Sequence, residues 1–338
     1  MPSFDKGSFT VSYLARRFGF YLVTLWVALT INFLLPRLMP GNPAIALLAK
    51  FNGRLGPQAL KAIEVAFGVH VHESLLTQYA QYLGQLAHGN LGVSLTFFPE
   101  PVGQVIANAI PWTLGLVGTA TVISFALGML VGVYTAWHRG GALDTVLPPV
   151  FTMMYGLPYF WVALAILYLV GFDLHWFPIS GGYTDGITQG LTMNYFLDVI
   201  NHAVLPAFTI VLTALGYWAV NMRNTMITTL SEDYVTMASA KGLKERAVMF
   251  GYAARNAILP NLTGFAMSLG FVVSGAILTE IVFSYPGVGY MLFQAVEQED
   301  YPLIQGLLLL IVIAVLAANF IADVLYAVLD PRVNKERS

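Results

Sequence analysis

The side chains with which this sequence could do chemistry are few, and their spacing argues against catalysis. Six histidines are scattered along the chain. His70 and His72 lie close together, but no third ligand stands at a metal-binding spacing beside them. The absence of cysteine removes thiolate metal sites, disulfides and a cysteine nucleophile. No Gly-x-x-x-x-Gly-Lys-Ser/Thr loop occurs, so the chain cannot cradle nucleotide phosphates by itself. His-Glu-x-x-His and Gly-x-Ser-x-Gly are also missing. Glu297, Glu299 and Asp300 form the kind of acidic cluster an intramembrane, lipid-modifying enzyme would use, yet beside Pro302 they read as a solvated loop. Glu280 and Asp323 come near the interior of apolar runs, where ionisable groups mark functional positions. A proton-coupled carrier would show more of them. The expectation is a chain with no catalytic residues and no cofactor of its own.

The informative chemistry is mechanical, and it lies in residues 229–244 (TLSEDYVTMASAKGLK). Thr229 and Glu232 have capping-box spacing, which starts a helix. Gly242 can stop that helix in a left-handed conformation. Tyr234, Met237, Ala238 and Lys241 share a face by their i, i+3, i+4, i+7 spacing. A short helix rich in small residues suits a socket on another protein. The alternative is a helix lying on lipid headgroups, for which the apolar face is thin.

Such a peg needs a scaffold, and the composition says which kind. The chain is 57% hydrophobic and 10% charged, where a soluble domain carries about 25% charged residues. Its net charge of −2 gives no global attraction to nucleic acid. Apolar runs long enough to cross a bilayer predict six spans, near residues 18–35, 113–137, 147–170, 203–222, 259–283 and 302–325. Arg16 and Arg17 precede the first run, which is too long for a signal peptide and lacks a cleavage site, so it reads as a retained helix. Pro158 sits inside the third run and must free a carbonyl that needs a partner away from lipid. Gly128 and Gly132 form a small-xxx-small pair, read as packing within the subunit.

The predicted organisation is 1–36 as N-terminal segment and first span, and 37–107 as a small extracytoplasmic domain with an amphipathic helix near 75–86. Residues 108–330 form a five-helix core containing a cytoplasmic loop at 223–256, and 331–338 a cytoplasmic tail. Of sixteen Lys and Arg residues, only Arg37, Lys50, Arg54 and Lys61 fall outside the segments that place both termini in the cytoplasm.

Several segments together resemble the dipeptide/oligopeptide ABC transporter permease family, the inner membrane component of binding-protein-dependent transport systems. Asp233-Tyr234-Val235, ASAKGL over 238–243 and RNAILP over 255–260 resemble its coupling-loop signature. LMPGNP over 38–43 is similar to the family's motif after the first span, with Asn42 where Asp is usual. GNLGVS at 89–94, FPISGGY at 177–183, EIVFSYPGVG at 280–289, DYP at 300–302 and DPR at 330–332 follow in the family's order. The general importer signature begins with Glu where Thr236 stands, as in many peptide-type members.

The resemblance implies an all-α, type I ABC importer permease in a prokaryotic cytoplasmic membrane, forming half of a translocation pore for di- and oligopeptides. Oligosaccharides or nickel are the alternative cargo. It implies a second homologous permease subunit, two cytoplasmic ATP-binding subunits that hold ATP and Mg, and an extracytoplasmic substrate-binding protein. Asp233, Tyr234, Ala238, Ala240, Lys241, Gly242 and Leu243 are expected to couple to the ATPase. Trp218, Asn221, Ser274 and Glu280 are expected along the translocation path. Tyr155, Tyr159, Trp161, Trp176, Tyr183, Tyr195 and Trp218 could stack on sugar rings, although aromatic residues also crowd any bilayer interface.

Overall fold

A computed structural model describes residues 6–38, 74–190, 192–272 and 276–329. Among these residues every extended element is a helix, as a bilayer requires of any backbone that must satisfy its own hydrogen bonds. Four helices are long and apolar enough to cross a membrane: 16–35 within α1 (Lys6–Leu38), α3 (Val102–Trp137), α6 (Met193–Leu230) and 301–321 within α12 (Tyr301–Leu329). A fifth span exists only if α4 (Ala142–Gly156) and α5 (Tyr159–Asp173) are taken together, and they meet at 97°. Pro158, inside the predicted third span, therefore stands at a corner. Leu157 is extended there, the conformation proline imposes on the residue before it. The predicted span at 259–283 is divided into α9 (Leu259–Phe271) and α10 (Ile277–Val282), with 273–275 outside the described residues.

The chain divides into two compact units. The first comprises Met1–Trp112 and Gly287–Ser338. In it α1 packs along α12, with Arg17 3.4 Å from Asp323 and Tyr21 donating a 2.5 Å bond to the same carboxylate. The helix was expected to end at Pro36 but continues to Leu38. A proline cannot donate to the carbonyl four residues back, and that carbonyl, on Asn32, accepts from Gln305 Nε2 at 3.0 Å instead. Asn32 Nδ2 returns a 2.8 Å bond to the Gln305 carbonyl. A side chain on the neighbouring helix thus supplies the missing donor. Helix α2 (Leu75–Ala87) matches the predicted amphipathic helix and is capped by Ser74.

Asp300 overturns its reading as a solvated loop residue. It is fully buried and accepts from Ser94 Oγ (2.5 Å), the Thr96 amide (2.8 Å) and the Leu303 amide (3.1 Å). The carboxylate caps α12 and holds the 94–96 turn in the same three bonds, so burial costs it little. Around it Val102, Ile106, Ala109, Val288, Ala295, Leu303 and Leu307 form the unit's core, beside α11 (Val288–Glu297).

The second unit, Thr113–Pro286, is organised on the pairing of α3 with α6. A Cβ at Gly128 would lie 2.5 Å from Trp218 Cβ, and one at Gly132 2.6 Å from both the Ala219 carbonyl and Met222 Cβ. These glycines let two backbones meet, which is the intrasubunit packing their spacing predicted. Gly132→Val is expected to destabilise the solubilised protein by about 2–3 kcal/mol through overpacking. Its thermal midpoint and monodisperse yield should both fall, while Gly103→Ala, with nothing within 4 Å, should leave them unchanged.

Candidate functional site

The segment singled out by sequence forms α7 (Asp233–Ala240), joined to the end of α6 by Ser231 and Glu232. The predicted capping box does not form. Thr229 is still inside α6 and donates its hydroxyl to the Thr225 carbonyl, 2.9 Å away, the usual choice of a threonine in a helix interior. Glu232, in extended conformation, stands at the N-cap without a side-chain bond. The helix stop is as predicted: Gly242 has φ +75°, a region that residues with a Cβ avoid.

One side of α7 is anchored. Val235 and Ala238 are each 3% exposed and pack with Met129, Val133, Met222, Met226, Val248 and Met249. Those partners come from α3, α6 and a widened π turn, α8 (Ala247–Ala254). Ala238 thus leaves the face that spacing had given it. At about 100° per residue it lies at the edge of the arc holding Tyr234, Met237 and Lys241, next to Val235. The other side of α7 is open. Asp233, Tyr234, Met237, Ala240, Lys241, Gly242 and Leu243 are exposed, Met237 by 58%. The result is a peg with an apolar root and a mixed polar and apolar head.

Of the residues expected along a translocation path, Trp218 and Asn221 lie on α6 and Glu280 on α10. Trp218 is buried in the same core as the root of α7, edge-on to Phe125 at 5.1 Å. Asn221 is half-buried and donates to the Tyr217 carbonyl at 3.0 Å. Ser274 lies outside the described residues. Glu280 is fully buried in α10 and accepts from Thr113 Oγ1 at 2.8 Å, where α3 enters a π turn at Leu114–Gly118. Nearby, burial pushes the Tyr285 phenol well above its ordinary range, and Glu280 pushes it the same way.

Sequence reading passed over Asp144 and Arg223. Asp144 opens α4, and its carboxylate takes a 2.5 Å bond from Arg223 Nε on α6 and a 2.9 Å bond from the Gly140 amide. The available signal is two opposite charges flanking predicted apolar runs, Asp144 just before 147–170 and Arg223 just after 203–222, of which only Arg223 entered the reading, as a mark of orientation.

The profile of the family described as binding-protein-dependent transport system inner membrane component matches residues 128–335. The chain is 35% identical over 340 residues to the Di/tripeptide transport system permease protein DppB of Pseudomonas aeruginosa, covering 97% of this chain and 100% of that one. It is 31% identical over 323 residues to the Dipeptide transport system permease protein DppB of Lactococcus lactis, covering 96% and 99%.

The two-sided character of α7 gives a direct test of its seating. Ala238→Glu would force a charge into the core, and the expected outcome is an unseated α7 with faster tryptic cleavage at Lys241 and Lys244. Ala240→Glu, on the open side, should leave the digestion pattern of the solubilised protein unchanged.

Proposed function

Since the chain belongs to the family of binding-protein-dependent transport system inner membrane components, we propose that it forms half of the translocation pore of an ATP-driven importer for di- and oligopeptides. The family consists of transporter permeases, which are not themselves catalytic, and its mode of transport implies ATPase and substrate-binding partners. In this reading a second, homologous permease completes the pore. Two cytoplasmic ATPase subunits supply the work, and an extracytoplasmic protein delivers the peptide. Both termini and α7 face the cytoplasm. The peptide cargo is favoured by the names of the relatives from Pseudomonas aeruginosa and Lactococcus lactis, a di/tripeptide and a dipeptide permease.

The observation that carries the proposal is the two-sidedness of α7. Its root is seated on α8 and α6, in a core that α3 shares, so a displacement of its head cannot be absorbed by rotation of α7 alone. Its head offers Tyr234, Met237, Ala240 and Lys241 for docking, with Asp233 and Leu243 at the rim. ATP would act by favouring the ATPase arrangement that seats this head best, because a ligand shifts an equilibrium only by its difference in affinity for the two states.

Two measurements test the reading. The natural chain lacks cysteine, so a single one introduced at Thr236 is a unique label site. An impermeant thiol reagent should reach it in inside-out vesicles and fail to reach it in intact cells, and labelling from outside would end the proposal. A Cβ at Gly242 meets no atom of this chain within 4 Å, and aspartate is among the residues that visit left-handed backbone at modest cost. What the added carboxylate of Gly242→Asp meets is then chiefly whatever docks there. Uptake should be lost and ATP hydrolysis uncoupled with membrane insertion normal, and coupled transport in this variant would rule out α7 as the docking element.

A further inference from the structure

The ion pair between Asp144 and Arg223 is not explained by the pairing of α3 with α6 or by the seating of α7. It belongs to α4, the first half of the cornered span, and it joins α4 to α6 at a defined register. Arg223 Nε meets Asp144 Oδ1 at 2.5 Å, with side-chain exposures of 20% and 7%. Seven residues on along α4 and seven back along α6, the two helices meet again. There a Cβ at Gly216 would stand 2.8 Å from the Phe151 carbonyl. Equal spacing in opposite directions means two antiparallel helices held at points about 10 Å apart. One point is a close approach, which resists compression. The other is a charge-assisted bond, which resists separation, since parting would leave two charges without their partners.

Arg223 sits on the same unbroken helix that leads, through Ser231 and Glu232, into α7. Two turns or fewer separate it from Met226 and Leu230, which pack beneath the root of α7. The carboxylate is fixed in turn by the Gly140 amide, so it cannot swing to follow the guanidinium without carrying the start of α4 with it.

We propose that the Asp144–Arg223 pair is a strut that makes α4 follow α6 when the head of α7 is displaced, carrying the ATPase's motion into the cornered span. Asp144 and Arg223 are positioning residues: neither meets the cargo or the nucleotide. The proposal rests on the reading of α7 as the docking element.

The test uses the assembled transporter, with its partner permease, ATPase subunits and binding protein, in proteoliposomes. Spin labels go on cysteines at Met153, 70% exposed on α4, and Thr236, exposed on α7. In the parental complex their separation should be the same without nucleotide and with ATP bound, because the two elements move as one body. In Asp144→Asn it should change on ATP binding, and the ATP consumed per imported peptide should rise about tenfold, within the range by which residues remote from both sites modulate coupling. Arg223→Gln should behave alike, and the double variant no worse than either single one, as expected for groups that act as a unit. Arg223→Lys keeps the charge and should retain most of the coupling, which settles the matter if Asp144→Asn fails to assemble. An unchanged label separation and an unchanged ATP-to-peptide ratio in assembled Asp144→Asn or Arg223→Gln would overturn the strut. A parental complex without ATP-driven uptake would overturn the importer reading, and the strut with it.

Discussion

The close approach of α3 and α6 at Gly128 and Gly132 is the contact on which the second unit depends. Between transmembrane helices there is no hydrophobic driving force, because lipid tails are as apolar as leucine, so association relies on backbone proximity and fitted side chains. Two glycines one turn apart on α3 allow Trp218, Ala219 and Met222 of α6 to sit directly against its backbone. The methionines that line the junction, Met129, Met222, Met226 and Met249, fill the irregular space left where α7 and α8 join. Had the helices been held apart by larger residues, Val235 and Ala238 would have no pocket to enter, and α7 would hang from α6 by a two-residue turn.

The acidic groups follow a second logic. Asp300, Glu280, Asp144 and Asp323 each lie in or beside an apolar run, and each is tied to another element by bonds to its carboxylate. Asp300 binds two backbone amides and a serine; Glu280 receives a threonine; Asp144 receives an arginine and an amide; Asp323 receives a tyrosine beside an arginine. In low dielectric such bonds are strong when complete and costly when broken. They therefore act as fixed joints in a protein whose remaining contacts are weak and non-directional. The first unit shows the neutral version of the same device, in which the amide of Gln305 stands in for the donor that Pro36 lacks.

Much of this was legible in the chain itself. Apolar runs located α1, α3, α6 and α12, because length and hydropathy are local properties. Gly242 was legible because a left-handed helix stop needs only one residue type. Other features were hidden for a common reason: they depend on a partner distant in sequence. Thr229 has both the spacing of a capping box and the option of bonding back to Thr225, and only the onward course of α6 decides between them. Asp300 sits in a run of acids that looks solvated until Ser94, 206 residues away, is placed against it. Ala238 is at the border of two faces, and the pocket under Val235 assigns it. Pro158 announced a freed carbonyl but not a corner, since a proline in a span is compatible with a gentle kink when neighbouring groups re-satisfy the backbone.

The corner between α4 and α5 has a consequence for what must surround it. Each arm has fifteen residues or fewer, about 22 Å of helix, too short to cross about 30 Å of hydrocarbon alone. Gly156, Leu157, Pro158 and Tyr159 at the bend are all exposed within this chain. Bare, non-helical backbone is not tolerated against acyl chains, so something other than lipid has to cover the bend. Whether protein or a water-filled cavity provides that cover, the bend and the helix ends beside it have to sit where acyl chains do not reach.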